Sequence, residues 1–260
     1  MSTILMPSRF SDIRFQRGII FSFEEFLHTF SGQRPDADFS YITGNTAPVG
    51  RYSEMSRTVI NDLRGSEEEI FRAFNDSTRH CIHQVIKKDL CTYQFIEQPS
   101  DDELVKLHAQ CREFADRMKI PMVTLNYLRT LNKGNRLNVS YVYDKNNVML
   151  AAHGYRLSEH RPELAYSIRP FEAGATKERL NLLAKANRYG HYRDMLQFKS
   201  MGYEMYDFGG VSDGKSCDRK WNNIDEFKLY FGGQVVTYYN SILYNTVKSK
   251  VYLKLRGNPF

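Results

Sequence analysis

Between Met201 and Tyr239 the chain gathers residue types and spacings suited to building a site: the carboxylate of Asp207, the ammonium of Lys228, and two glycine pairs, Gly209-Gly210 and Gly232-Gly233. Asp207 stands between Tyr206 and Phe208, so strand alternation turns its carboxyl to the face opposite those rings. There it can bind a substrate amine or hydroxyl, or pair structurally with Lys228 or Arg169. A glycine pair after a strand lets the backbone turn sharply or approach a ligand with no Cβ in the way. Lys228 is the one lysine of the helix predicted between the glycine pairs; by residue type alone it reads as a solvated surface lysine. Trp221 can stack on a sugar or adenine, or simply pack, and Phe227 is grouped with it as a substrate contact. Tyr166, Tyr203 and Tyr206 can donate protons, and His153 can carry one. His80 and His83 are three apart on a predicted helix, but no third ligand is spaced for a metal, so no metal is expected.

These groups need elements to hold them. Tyr203, Met205 and Phe208 predict a strand over 203–208, ended by Gly209-Gly210, and Ile224–Phe231 predicts a short amphipathic helix stopped by Gly232-Gly233. Val235–Tyr239 reads as a last strand. Upstream, Thr58–Leu63 is β-branched and strand-like. Ser66 with Glu69 forms a capping-box start for a helix expected to continue through Ile70, Ala73 and Phe74 to Lys88. After a strand at Cys91–Ile96, Pro99–Glu103 opens a helix whose Leu104, Leu107, His108, Cys111, Phe114, Ala115 and Met118 share one face. Ile120-Pro121 ends it, and Val123–Leu131 reads as a short helical turn. Leu137–Tyr143, Val148–Leu157 and Glu163–Ile168 predict three antiparallel strands, followed by a loop at Arg169–Ala175 and a long helix over Thr176–Ser200, with Gly190 as an interruption. In residues 1–56, Phe23–Phe30 has helical spacing and Ser31–Gly50 has loop composition.

Tyr206-Asp-Phe-Gly-Gly210 followed by Glu226-Phe-Lys-Leu-Tyr-Phe-Gly-Gly233 resembles the paired C-terminal signature of the FemAB-like branch of the GNAT acyltransferases. Arg79–Lys88 is similar to a basic segment of the same family, and the resemblance reaches back to about Thr58. It implies an α/β fold, a GNAT-like mixed, mostly antiparallel sheet flanked by helices, and the predicted β-β-β-α-β order matches that core. It also implies that Lys228 lies at an acyl-transfer site, where a fixed cation stabilises the carbonyl oxygen as it becomes anionic. The family includes aminoacyl-tRNA-dependent enzymes that build peptidoglycan cross-bridges, and relatives in surface-polysaccharide gene sets. It implies no obligatory protein base.

Ordinary GNAT enzymes seat the CoA pyrophosphate on backbone amides of an Arg/Gln-x-x-Gly-x-Gly/Ala loop at the start of the long helix. Here Arg169-Pro-Phe-Glu-Ala-Gly174-Ala175 stands at that place with different spacing, and Glu172 is unfavourable to a phosphate. Arg169, Gly174 and Ala175 are still the residues expected to meet an anionic donor; the other reading is a plain strand-to-helix turn. The departure favours aminoacyl-tRNA over acyl-CoA without excluding either.

The 260 residues suffice for one large or two small domains, and the layout expected is an N-terminal extension (1–56), a GNAT-like acyltransferase domain (57–245) and a basic C-terminal tail (246–260). No run of 18 apolar residues and no signal-like N-terminus is present, so a cytoplasmic protein is expected, with peripheral membrane contact open. Four cysteines without a CxxC pair are expected to be ordinary reduced thiols. The net charge of +6, enriched at Arg129–Arg136 and Lys248–Arg256, permits tRNA, CoA or an anionic carrier and equally a solvated basic surface. The function expected is transfer of an acyl or aminoacyl group from aminoacyl-tRNA or acyl-CoA, with no tightly bound cofactor, onto an amine of a cell-envelope or polysaccharide precursor. The alternative is a non-catalytic binding or scaffold protein in a polysaccharide assembly system.

Overall fold

Short polar caps decide where the helices begin. The computed structural model describes residues 4–7, 14–19, 39–50, 52–119, 123–158, 160–212 and 219–256. Ser66 caps α1 (Glu67–Ala73) through a capping box with Glu69, as its sequence predicts. The helix does not run on to Lys88. Asn75 takes an extended conformation, accepts a hydrogen bond from the Thr78 amide at 2.8 Å and starts α2 (Asp76–Lys87) afresh. An Asn at this point offers the backbone a cap that competes with helix continuation.

A second capping box, Ser100 with Glu103, opens α3 (Asp101–Met118), and Thr124 caps α4 (Leu125–Lys133), a full helix where only a turn was expected. Thr176 caps the long α5 (Lys177–Ser200). Gly190 does not interrupt it: a Cβ there would lie 2.8 Å from His153 and 3.0 Å from Val142, so the glycine lets the helix press onto the sheet. The following helix, α6 (Arg219–Leu229), starts earlier than the apolar spacing suggested and takes in Trp221, whose side chain lies outside the described residues. The basic tail is also helical, as α7 (Val247–Arg256).

The strands are β1 (Ile4–Pro7), β2 (Arg14–Ile19), β3 (Phe39–Asn45), β4 (Tyr52–Asp62), β5 (Thr92–Ile96), β6 (Leu137–Tyr143), β7 (Met149–Leu157), β8 (Pro162–Ile168), β9 (Met205–Gly210) and β10 (Gln234–Tyr244). The stretch expected to be loop over Ser31–Gly50 therefore contains a strand: Phe39, Tyr41, Ile42 and Thr43 favour extended backbone despite their turn-forming flanks. The helix expected at Phe23–Phe30 lies outside the described residues. β9 starts later than predicted and includes both glycines that were expected to end it.

Two compact units divide the chain. The first comprises Met1–Thr58, Gly210–Asp213 and Val235–Phe260. In it β1 pairs antiparallel with β2, β2 parallel with β3, and β3 antiparallel with β10. Ser241 holds it locally, its hydroxyl accepting from the Val49 amide at 3.1 Å and meeting Ser53 Oγ at 2.9 Å.

The second unit comprises Val59–Gly209 and Gly214–Gln234. Its strands run in the order β9-β8-β7-β6-β5, with the last residues of β4, from Val59, next to β9. Pairing is antiparallel from β5 through β8 and parallel between β8 and β9. The β6-β7-β8-α5-β9 order is the one the sequence predicted. β6 is buried on both faces, which is why its sequence does not alternate cleanly. Phe198 of α5, fully buried, packs its ring against Phe95 at 5.3 Å and Tyr155 at 4.8 Å.

Candidate functional site

β8 and β9 are neighbours, yet among the described residues they pair at one register position, Glu163 with Asp207. Past that point a cleft of about 1020 Å³ is lined by Leu164–Ser167 of β8, Phe208 of β9, one face of α5 and the inner face of α6. The α5 face is a helical stripe, Leu180, Leu183, Ala184, Asn187, Arg188 and His191. A register shift at Gly154/Tyr155 leaves Ala165 as an extra residue on β8, a bulge of the kind that bends a strand and disturbs its ladder.

Lys228 and Phe227 of α6 both line this cleft. Lys228 Nζ donates to the Gly209 carbonyl at 3.3 Å, and desolvation lowers its pKa against the pull of Asp225, Asp207 and Glu163. Gly209 has φ +75°, and a Cβ there would meet the Leu164 carbonyl at 2.8 Å, so glycine is required where the strands part. Gly210, by contrast, belongs to the first unit.

Asp207 is buried, and its carboxylate is taken up by the fold. Arg161 Nε lies 3.1 Å from Oδ2, and Oδ1 accepts the Gly209 amide at 2.8 Å. Asp207 is thus ion-paired with Arg161, a cation not considered from the sequence, and it also acts electrostatically on Lys228. Tyr206 and Phe208 point the other way, their rings 4.9 Å apart, as strand alternation predicts.

The loop after β8 binds itself. Arg179 grips Glu172 through Nε and Nη2 at 2.7–3.0 Å and reaches Asp144 Oδ2 at 2.9 Å through Nη1. Ala175 donates its amide to the Glu172 carbonyl at 3.2 Å, while Gly174, at φ +73°, faces open space. A carboxylate thus already stands beside the first turn of α5. Arg169 remains on the cleft wall together with Arg117 and Arg188. Desolvation, then the like charges of Arg188 and Arg117, lowers the pKa of Arg169. Arg117 spends one N–H on the Arg169 carbonyl at 3.2 Å and lies over Phe171; Arg188 lies over Phe227 with its Nε buried and without a partner. Among the described residues none of the three arginines makes an ion pair, so the wall carries unneutralised cationic charge.

Below the cleft lies a buried polar network that the sequence did not reveal. Asp194 accepts hydrogen bonds from Tyr93 at 2.7 Å and Tyr155 at 2.6 Å, and meets His153 Nδ1 at 2.6 Å. The Tyr155 hydroxyl meets that of Tyr206 at 2.8 Å, and Tyr206 meets His191 Nδ1 at 2.9 Å. His191 Nε2 faces Ser167 Oγ at 3.4 Å, and His153 Nε2 faces Asn187 Oδ1 at 3.1 Å. Burial raises the pKa of Tyr93, Tyr155 and Tyr206 and, with neighbouring His153, Lys228 and Arg188, holds His191 well below the ordinary imidazole value. His153, His191 and Asp194 lie close enough to surround an ion. Their ring nitrogens and carboxylate oxygens are already engaged in the network, however, and the two imidazoles stack at 3.9 Å and 9°, an arrangement that suits proton sharing better than ligation.

The structure thus brings Lys228, Phe227 and Arg169 to one cleft, puts Tyr206 behind it, and commits Asp207 to an internal ion pair. Arg117, Arg188, Ser167 and His191 were missed: each is a common residue type on a predicted helix or strand, and no local spacing marks it.

No family model matches the chain, and no curated protein sequence does either. Among solved structures, that of FemX covers 97% of this chain and 85% of its own, at 10% sequence identity and a TM-score of 0.63. A conserved protein of unknown function from Bacteroides thetaiotaomicron covers 84% of this chain and 73% of its own, at 8% identity and a TM-score of 0.50. The likeness is one of fold. This chain has the GNAT-like α/β fold, and the FemAB-like resemblance of its two-part motif holds at that level.

Proposed function

We propose that the cleft between β8 and β9 transfers an acyl or aminoacyl group from an activated donor to an amine. The observation that carries the reading is Lys228: its ammonium is half-buried and lines the cleft at the point where the strands part. A cation held there, in a partly desolvated setting, suits stabilisation of the oxyanion that forms when an amine attacks an ester or thioester carbonyl. Arg169, Arg188 and Arg117, which line the same cleft, suit a phosphate-bearing donor, since guanidinium groups bind phosphate by paired hydrogen bonds.

Glu172, locked by Arg179 beside the start of α5, argues against a pyrophosphate seated on that helix N-terminus. Aminoacyl-tRNA is therefore the favoured donor and acyl-CoA the second, with no tightly bound cofactor. The acceptor proposed is an amine of a cell-envelope or polysaccharide precursor, free or carrier-linked, met in the cytoplasm. That assignment rests on the motif resemblance. Among the described residues no helix is long and apolar enough to cross a membrane.

Lys228→Ala tests the reading. Single-turnover transfer should fall by roughly 100- to 1000-fold with little change in thermal stability, and Lys228→Arg should restore it only in part. Donor binding without turnover on any amine would leave a binding or scaffold protein instead.

A further inference from the structure

The buried network under the cleft has a direction. A carboxylate can only accept hydrogen bonds, so the Tyr155 hydroxyl, 2.6 Å from Asp194 Oδ2, must spend its proton there. Its oxygen is then left to accept from Tyr206 at 2.8 Å, which uses the Tyr206 proton. Tyr206 in turn can only accept from His191 Nδ1, 2.9 Å away. The proton of a neutral His191 is thereby fixed on Nδ1, and the lone pair on Nε2 faces Ser167 Oγ at 3.4 Å, a hydroxyl whose one proton Asn187 Oδ1 also draws at 3.4 Å. Ser167 lines the cleft and is partly exposed, whereas His191 has no exposed surface, so an acceptor amine would touch the serine.

We infer that Ser167 and His191 form a proton outlet for the transfer reaction, and that Tyr206, Tyr155 and Asp194 are positioning residues that fix the His191 tautomer. As the amine nitrogen bonds to the carbonyl carbon, Ser167 Oγ takes one proton from that nitrogen and hands its own to His191 Nε2. When the bond from that carbon to the donor oxygen or sulfur breaks, the proton returns by the same route to the leaving atom. The nitrogen has lost one proton, the leaving atom has gained it, and nothing is oxidised. The groups facing His191 are His153, stacked at 3.9 Å, Arg188 on its own helix, Tyr206, Ser167 and Lys228. Their combined effect with burial keeps the resting imidazole uncharged and disfavours the imidazolium, so Nε2 holds the proton only in passing before it returns to the leaving atom. The hydrogen-bond direction stands without any assumption about function; the use assigned to it rests on the transfer reading above.

Two measurements test it. In ¹⁵N NMR of the full chain, His191, assigned by loss of its signals in His191→Gln, should carry its proton on Nδ1, and Tyr206→Phe should shift the population toward Nε2–H. A wild-type proton on Nε2, or a tautomer indifferent to Tyr206→Phe, overturns the relay. In single-turnover transfer with a charged tRNA or acyl-CoA and an amine acceptor, Ser167→Ala should lower the rate about 100-fold and Ser167→Thr should restore most of it. Tyr206→Phe should lower it about tenfold without weakening donor binding. If Lys228→Ala abolishes transfer while Ser167→Ala matches the parent, the outlet falls and the transfer reading stands. If the parent transfers to no amine, the transfer reading falls, and the outlet with it.

Discussion

Asp194 and Arg169 mark two contrasting parts of one unit. Asp194 has no exposed surface and receives Tyr93, Tyr155 and His153 on its two oxygens, whereas Arg169 is exposed on the cleft wall with further guanidinium groups as neighbours and no ion pair. Buried polar groups persist only when they are satisfied, so the network under the cleft is closed, directional and intolerant of deletion. Arg169 and Arg117 keep exposed surface, although Arg169 is partly desolvated, so the wall can keep cations unspent for a ligand. Under the proposed function the two regions divide the work: protons are handled in the buried network, and the anionic donor is met on the cleft wall.

The sharpest way to break this contrast is Asp194→Ala. It strands two tyrosine hydroxyls and His153 in the interior, and should cost about 3–5 kcal/mol, the scale for removing one partner of a buried pair. The expected result is a lowered urea midpoint with an unchanged slope; a loss under 1 kcal/mol would mean that water or repacking satisfies the network.

On the wall the effect should fall on binding alone. Arg169→Ala should weaken a phosphate-bearing donor about tenfold and flatten the salt dependence of its binding by roughly one counterion, with unchanged stability. An unaltered salt slope would remove Arg169 from the donor path.

Lys228 lies at the border of the two regions, and its effect on stability should be the smallest. Its folded pKa is below the unfolded 10.5, so between those values the unfolded chain binds more protons and stability gains as pH rises. Lys228→Met should lose that gain. Urea unfolding from pH 7 to 10.5 compares the two slopes, and parallel slopes would place the ammonium in bulk solvent.

Much of the fold is local and so was legible. Ser66 with Glu69 and Ser100 with Glu103 set helix starts within four residues, and alternation around Asp207 separated its carboxyl from the rings of Tyr206 and Phe208. Lys228 was legible only through the motif resemblance, since its residue type alone reads as a surface lysine; the fold puts it on the cleft lining. Asn75 shows the limit: the apolar pattern continues through it, and only the competition between cap and helix breaks the run.

The amino-acid sequence by itself determined the order of elements, the alternation of faces and the presence of a lysine and glycine pairs near one another along the chain. Tertiary structure alone decided which groups meet. Asp207 found Arg161 because β9 runs beside β8, and Lys228 reached Gly209 because α6 returns beneath the parted strands. Tyr93, His153, Tyr155, Ser167, Asn187, His191, Asp194 and Tyr206 form one network although they span more than a hundred positions. Periodicity records which face of an element is buried, but a hydrogen bond between distant elements depends on how they pack, and no local spacing encodes that.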